Sequence, residues 1–292
     1  MHFSGRTWRP PHERWTPIIE ATSGCAWGRC SFCRLYEEEP FRIGTLERFC
    51  SDLDEIKAAV PYARRLWLTG GDPFQMGFAR LEERALAVRD RLVKMQTIAM
   101  FASVRDIARY TDEELARLAS LRIGGLVVGM ESTDDQTLSI ARKGYTPEDI
   151  RMQLLRLERA GISYNVIYMT GLAGEGRGRS TARSTLEVLN DLRPGIVGIT
   201  SLVLMPGTAL AQEVERGAFR LMPERERLEE LAELVNGICF KTFLDARSTS
   251  NLLPVAGMLP YERGRMLAEL DHVLETEDEE TLAQKRKAIK EL

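Results

Sequence analysis

Cys25-Ala26-Trp27-Gly28-Arg29-Cys30-Ser31-Phe32-Cys33 places three cysteines within nine residues, spaced C-x4-C-x2-C. A tight loop of this spacing can turn three thiolates toward one point. Thiolates are soft ligands that select zinc or iron–sulfur clusters. Only three cysteines are local, so a fourth corner comes from elsewhere or stays open. An open corner on a metal centre is where a small molecule can bind and react. Cys50 and Cys239 stand alone and read as small apolar core residues. Five cysteines in 292 residues are no disulfide framework. The bland alternative for the trio is a structural zinc knuckle completed by Cys50.

Working outward, residues 1–16 read as irregular, because Arg9-Pro10-Pro11 suits neither helix nor central strand. Pro17 to Ser23 (PIIEATS) is a short β-like run ended by Gly24, and the cysteine loop follows it. Beyond the loop, Thr45 to Val60 has helical periodicity, with Leu46, Phe49, Leu53 and Ile56 on one face. Strand-like runs follow at Arg65 to Thr69, Thr97 to Ser103, Gly125 to Met130, Ser163 to Thr170 and Ile196 to Met205. Helical patterns separate them. One opens on the capping box Thr111-x-x-Glu114 and another on Thr146-Pro147.

Six alternations of strand and helix call for parallel βαβ units. The expected fold is α/β: a partial (β/α)6 TIM-type barrel with a C-terminal helical extension. A doubly wound sheet is the alternative. The expected division is a core at residues 1–220, with its irregular N-terminal segment, and a helical cap at 221–292. In the cap, Glu224 to Ile238, Tyr261 to Val273 and Glu277 to Leu292 read as helices.

Composition narrows the function. The net charge is −3, with 44% hydrophobic and 28% charged residues, so the chain reads as globular without a bulk attraction for nucleic acid. No apolar run reaches the length of a membrane span. Met1 to Arg9 lacks the apolar core of a signal peptide, and a cytoplasmic address is expected. The three histidines, His2, His12 and His272, leave the body of the chain without one. That excludes a Ser-His-Asp triad and a His-rich zinc site there.

In parallel α/β folds the working residues sit on the loops after the strands. The cysteines follow the first strand, and Gly70-Gly71-Asp72 follows the second. Ser103 and Arg105 follow the third, Glu131-Ser132 the fourth, Gly171 to Glu175 the fifth, and Pro206-Gly207-Thr208 the sixth. Six such coincidences in register imply one site on one face. Gly171 to Gly178 is no P-loop, since no Gly-Lys-Ser/Thr follows. Arg177, Arg179 and Arg183 read as a solvated helix start, with reception of an anionic substrate as the sharper alternative.

These motifs resemble the radical S-adenosylmethionine superfamily over roughly residues 9–220. The resemblance rests on Cys25-x4-Cys30-x2-Cys33 followed one unit later by Gly70-Gly71-Asp72-Pro73. Phe32 matches the aromatic residue that often precedes the third cysteine. Gly129-Met130-Glu131-Ser132, with Leu138 and Lys143-Gly144, is similar to a segment of one group in that superfamily. That group holds anaerobic coproporphyrinogen dehydrogenases, tRNA methylthiotransferases and the elongator catalytic subunit. The commonest spacing in the superfamily is C-x3-C-x2-C, so one extra residue places Trp27 to Arg29 in an altered loop.

The resemblance implies that Cys25, Cys30 and Cys33 hold a 4Fe–4S cluster whose fourth iron chelates S-adenosylmethionine. It implies that Gly70, Gly71 and Asp72 hold the methionine amino group. Ser103, Arg105 and Glu131 would hold the carboxylate or ribose hydroxyls, and backbone near Phe32 and Pro206 would line the adenine. Reductive cleavage would then release a radical that takes a hydrogen atom from a substrate. The expected partners are a small-molecule substrate and a flavodoxin or ferredoxin as electron donor. A tRNA-modifying radical enzyme is the first alternative, disfavoured by the acidic balance and by the lack of a second cysteine cluster. A non-catalytic iron–sulfur or zinc binding protein is the second. The absence of room for a cobalamin domain argues against methyl transfer through cobalamin.

Overall fold

The computed structural model describes residues 1–289. Its elements begin with β1 (Ile18–Glu20), β2 (Thr22–Ser23), β3 (Arg42–Ile43), α1 (Leu46–Ala59) and β4 (Arg65–Thr69). Next come α2 (Phe78–Arg91), β5 (Thr97–Ala102), α3 (Val104–Ile107), α4 (Asp112–Ser120) and β6 (Leu126–Glu131). They continue with α5 (Asp135–Ala141), α6 (Pro147–Ala160), β7 (Tyr164–Thr170), α7 (Gly178–Leu189), β8 (Ile196–Ser201) and α8 (Ala209–Glu215). Last are α9 (Glu224–Gly237), β9 (Thr242–Asp245), β10 (Ala256–Leu259), α10 (Arg263–Thr276) and α11 (Glu279–Ala288).

The main sheet has the strand order β1-β4-β5-β6-β7-β8-β9-β10. Pairs β1–β4, β4–β5, β5–β6, β7–β8 and β8–β9 are parallel, and β10 is antiparallel to β9. The order follows the chain without reversal. A doubly wound sheet reverses at a switch point, so this winding is that of an open, partial α/β barrel. Among the described residues no helix is long and apolar enough to cross a membrane.

Two compact units are distinguished by packing. The first comprises Met1–Gly28, Leu35–Gly129 and Gln153–Tyr164. In it, Leu66, Trp67 and Leu68 of β4 are fully buried, as expected of a parallel strand covered on both faces. The Trp67 ring meets Phe101 edge-on, with centroids 5.0 Å apart. Its Nε1 donates to the Trp8 carbonyl at 3.2 Å, which fixes the irregular N-terminal segment to the strand. The buried Glu13 of that segment accepts from Arg65 Nε at 2.8 Å. Helix α1 starts on Thr45, whose hydroxyl accepts from Arg48 N, and it buries Phe49, Leu53 and Ile56. The capping box of α4 is formed by Thr111 and Glu114 as the sequence predicts.

The second unit comprises Arg29–Arg34, Met130–Met152 and the chain from Asn165 onward. Strands β7 and β8 alternate buried and half-buried residues along their length. Helix α9 packs Leu228, Leu231, Leu234 and Val235 into the core and lies against α7, α10 and α11.

Two local readings change. The run Pro17 to Ser23 is broken at the buried Ala21: β1 pairs parallel to β4, while β2 turns aside to pair antiparallel with β3. The region after Phe219 contains β9 and β10 as well as helices. Each is only four residues long, too short for a period of two to stand out from helix. The last helix ends at Ala288, and the expected continuation over 290–292 lies outside the described residues.

Candidate active site

The first unit gathers Cys25, Gly70, Gly71, Asp72, Ser103 and Arg105 at the C-terminal ends of β1, β4 and β5. Gly24 ends β2 with φ +66°, and a Cβ there would lie 2.3 Å from the Glu39 carbonyl oxygen, so the chain turns into the cysteine loop only as glycine. Gly71 N donates to the Gly24 carbonyl at 2.9 Å. A Cβ on Gly71 would meet that carbonyl at 2.6 Å, the Tyr36 ring at 2.8 Å and Cys25 Cβ at 3.0 Å. The Gly70-Gly71 turn therefore packs directly against the first cysteine. A Cβ on Gly70 would instead meet the Thr22 carbonyl oxygen at 2.5 Å, so each glycine answers a different close approach.

Asp72 follows that turn and is 4% exposed, with Oδ1 buried and unpaired. Burial first, then the Asp106 carboxylate and the Cys25 thiol, push its carboxyl well above the usual range, and Arg105 opposes them. A buried acceptor with an empty lone pair beside another carboxylate is arranged for a cation. Ser103 is engaged locally. Its hydroxyl caps α3 by accepting from Asp106 N and donates to the Asp106 carboxylate. The Arg105 guanidinium lies 3.5 Å over the Trp27 ring, a cation–π stack that links the third strand loop to the extra-residue segment. Its Nε is buried without a hydrogen-bond partner. Asp106 and Tyr36 were not singled out by sequence reasoning. Neither belongs to a spaced motif, and each is brought in by the β5 and β3 connections.

The second unit holds Cys30, Phe32, Cys33, Glu131 and Pro206. Cys33 N donates to the Cys30 carbonyl at 3.2 Å, closing a turn between them. Ser31, between these two cysteines, donates from N to the Ala141 carbonyl at 3.1 Å and from Oγ to the Ile140 carbonyl at 2.6 Å. Leu210 N donates to the Ser31 carbonyl at 2.8 Å. The Phe32 side chain packs on Ala141, Leu172, Leu202 and Leu210. Arg34 Nη1 donates to the Pro206 carbonyl at 2.6 Å. The segment from Arg29 to Arg34 is thus clamped to the end of α5 and to the loop after β8.

Glu131 ends β6 with φ +64°, a left-handed conformation rare for a non-glycine residue and a store of strain at the strand end. It is 8% exposed. Its Oε1 accepts from Lys143 Nζ at 3.2 Å, and its Oε2 is buried and unpaired. Lys143 is itself buried. Burial alone would lower its pKa, but Tyr145, Glu131 and Cys30 raise it. Tyr145 is pushed up to about 12, by burial against the opposing pull of Lys143.

The arginines after β7 are spoken for. Arg177 pairs with Asp134 at 2.6 Å, Arg179 with Glu229 at 3.3 Å, and Arg183 with Glu233 at 2.7 Å. Glu226 accepts from Gly176 N and Gly178 N at 2.9 and 2.8 Å, so a carboxylate of α9 already occupies the N-terminus of α7. Glu230, fully buried, accepts from Gly171 N at 2.8 Å and from the Tyr168 hydroxyl. Arg179 and Arg183 are solvated side chains on the first turns of α7, as the helix-start reading expects, and all three arginines form ion pairs within the chain.

The donor set suits an iron–sulfur cluster and a cationic ligand. Cys25, Cys30 and Cys33 are in no disulfide and are half-buried. Among the described residues, the only three potential metal-binding groups whose donor atoms fall within 4.8 Å of one another are His2, Asp52 and Glu55, and Cys50 belongs to no such group.

Comparison with known proteins agrees. The Radical SAM superfamily matches residues 19–184. No curated protein sequence matches. Among solved structures, the radical S-adenosylmethionine methyltransferase TsrM from Kitasatospora setae, with tryptophan substrate and a cofactor analogue bound, is similar at 20% identity and TM-score 0.56. The similarity covers 69% of this chain and 39% of TsrM. Coproporphyrinogen III oxidase HemN from Escherichia coli is similar at 16% identity and TM-score 0.56, over 76% of this chain and 51% of HemN. Methylornithine synthase PylB is similar at 17% identity and TM-score 0.51, over 92% of this chain and 85% of PylB. The chain spans about two fifths of TsrM and half of HemN, and at these identities the likeness is one of fold. Matched to the superfamily over more than half its length, the chain belongs to the radical S-adenosylmethionine enzymes, which use a 4Fe–4S cluster and S-adenosylmethionine.

Proposed function

We propose that this chain holds a 4Fe–4S cluster on Cys25, Cys30 and Cys33 and acts on a small-molecule substrate. When bound, the cluster and its cofactor supply one electron to the sulfonium and a carbon radical that takes a hydrogen atom from that substrate. The observation that carries the reading is the contact in the first unit. Gly71 lies against Cys25, and the next residue, Asp72, is a buried carboxylate with an unpaired oxygen.

Asp72 is proposed to accept from the ammonium of the methionine moiety, and Gly70 and Gly71 to let the backbone approach it. Glu131, strained and with Oε2 unpaired, is proposed to accept from a ribose hydroxyl. Arg105 is the cation proposed for the methionine carboxylate, oriented by its stack on Trp27. Ser103 is assigned a supporting part, because its hydroxyl is spent on Asp106. Backbone near Phe32 and Pro206 is proposed to face the adenine. A flavodoxin or ferredoxin is the proposed electron donor. Low net charge supports a small molecule over nucleic acid as substrate.

The test is anaerobic reconstitution with iron and sulfide, reduction with dithionite, and addition of S-adenosylmethionine, with the deoxyadenosine product quantified by chromatography. Alanine at any of Cys25, Cys30 or Cys33 is expected to abolish cluster and product together. Product formed by a cluster-free variant would sink the proposal. A cluster that forms in the wild type, with neither product nor any spectral response to the cofactor, would instead point to a non-catalytic binding protein.

A further inference from the structure

The pair Lys143–Glu131 is not explained by cofactor contact alone. Helix α5 ends in a fixed motif: Arg142 takes φ +55°, Arg142 N donates to Ser139 O and Lys143 N donates to Leu138 O, both at 3.1 Å. Just before that turn, the carbonyls of Ile140 and Ala141 accept the two hydrogen bonds that Ser31 donates. One short stretch therefore carries the anchor of the Cys30–Cys33 loop and a buried ammonium. That ammonium is 3.2 Å from Glu131 Oε1 and 5.7 Å from the centre of the Tyr145 ring. A buried lysine is costly unless paired, and here its one carboxylate partner keeps a second oxygen unpaired.

We propose that Lys143 is a positioning residue for the ligand loop. Its buried ammonium holds Glu131 at the strand end and raises the one-electron reduction potential of the cluster on Cys30. The inference rests on the cluster assignment above. The chemistry is a single electron added by an external reductant, with no bond made or broken. A cluster ligated by thiolates becomes more negative by one charge on reduction. A fixed cation nearby stabilises the reduced form, and a fixed carboxylate destabilises it, because potentials follow local charge and burial. The two members of the pair should therefore move the potential in opposite senses. Lys143 is paired as an ammonium with the Glu131 carboxylate, Nζ to Oε1 at 3.2 Å.

The experiment is a redox titration followed by electron paramagnetic resonance, on anaerobically reconstituted full-length protein with no S-adenosylmethionine present. Lys143→Met is expected to shift the midpoint to more negative potential, and Lys143→Arg to restore it toward the wild type. Glu131→Gln is expected to shift it to more positive potential. The Glu131 variant keeps the proposal falsifiable if Lys143→Met does not hold a cluster. Midpoints of Lys143→Met and Glu131→Gln equal to that of the wild type would overturn the inference while leaving the cluster assignment standing. So would shifts of the same sign. Failure of the wild type itself to form a cysteine-dependent cluster would instead overturn the assignment on which the inference rests.

Discussion

Asp72 and Glu230 are two buried carboxyls with opposite surroundings. Asp72 has Asp106 beside it and one oxygen unpaired, so its charged form is electrostatically unfavourable in the folded chain. Asp72→Asn removes that repulsion at almost constant volume. Its apo form is expected to melt no lower than the wild type. Its loaded form should bind S-adenosylmethionine roughly tenfold to a hundredfold more weakly, the worth of one hydrogen bond to a charged group. Equilibrium dialysis and a melting curve on the same preparation check both halves, and unchanged affinity would remove Asp72 from the proposed site. Glu230 accepts two hydrogen bonds in a fully buried position, and burial still lifts its pKa from 4.5 to about 7. Between those values the folded state binds more protons than the unfolded one. Stability from this group is therefore present in full below about pH 4.5 and lost as pH rises through about 7. The span corresponds to roughly 3 kcal/mol. Glu230→Gln stays neutral at every pH, so the difference in melting temperature between wild type and variant should change across that window. Parallel profiles would contradict it.

Helix α9 is the element whose part the sequence hid. The glycines, Glu131 and the cysteines were legible because each sits at a strand end in a spaced motif. The grip of Glu226 and Glu230 on the loop after β7 was not. Glu224 to Ile238 reads as an ordinary charged amphipathic helix, and nothing in its periodicity says that its carboxylates meet backbone N–H groups some fifty residues away. The same holds for Lys143: its motif was visible, but its burial against Glu131 comes from the left-handed turn at Arg142. In physical terms, glycines and cysteines announce themselves because no other residue can do their work, whereas a buried Lys or Glu looks like any surface charge until its partner is placed. Glu226→Ala leaves Gly176 N and Gly178 N without their acceptor and uncaps α7. The expected cost is about 1–2 kcal/mol. Amide exchange over residues 171–178 should quicken more than elsewhere. Uniform exchange, with no local effect, would mean that the carboxylate is not what holds the loop.

At the scale of the molecule, alternation of strands and helices was enough to predict the α/β class, and strand order then selected the partial barrel over the doubly wound sheet. What periodicity could not supply was β9 and β10, each four residues long. A ligand that binds only the native state stabilises it by RT ln(1 + [L]/Kd), about 2.7 kcal/mol at a hundred times Kd. The proposed cofactor contacts are contributed by loops from β4, β5 and β6, and the metal ligands by the cysteine loop. S-adenosylmethionine should then raise the melting temperature of the cluster-loaded protein by several degrees. The apo protein should show little response, because the proposed chelation of the amino and carboxylate groups needs the open iron. The variant with Cys25, Cys30 and Cys33 all replaced by alanine should not respond at all. Equal shifts with and without iron would place the binding energy in the protein groups alone, with Asp72, Arg105 and Glu131 sufficient to hold the cofactor. Thermal scans at several cofactor concentrations, run anaerobically on loaded, apo and triple-variant protein, separate these outcomes before any substrate is identified.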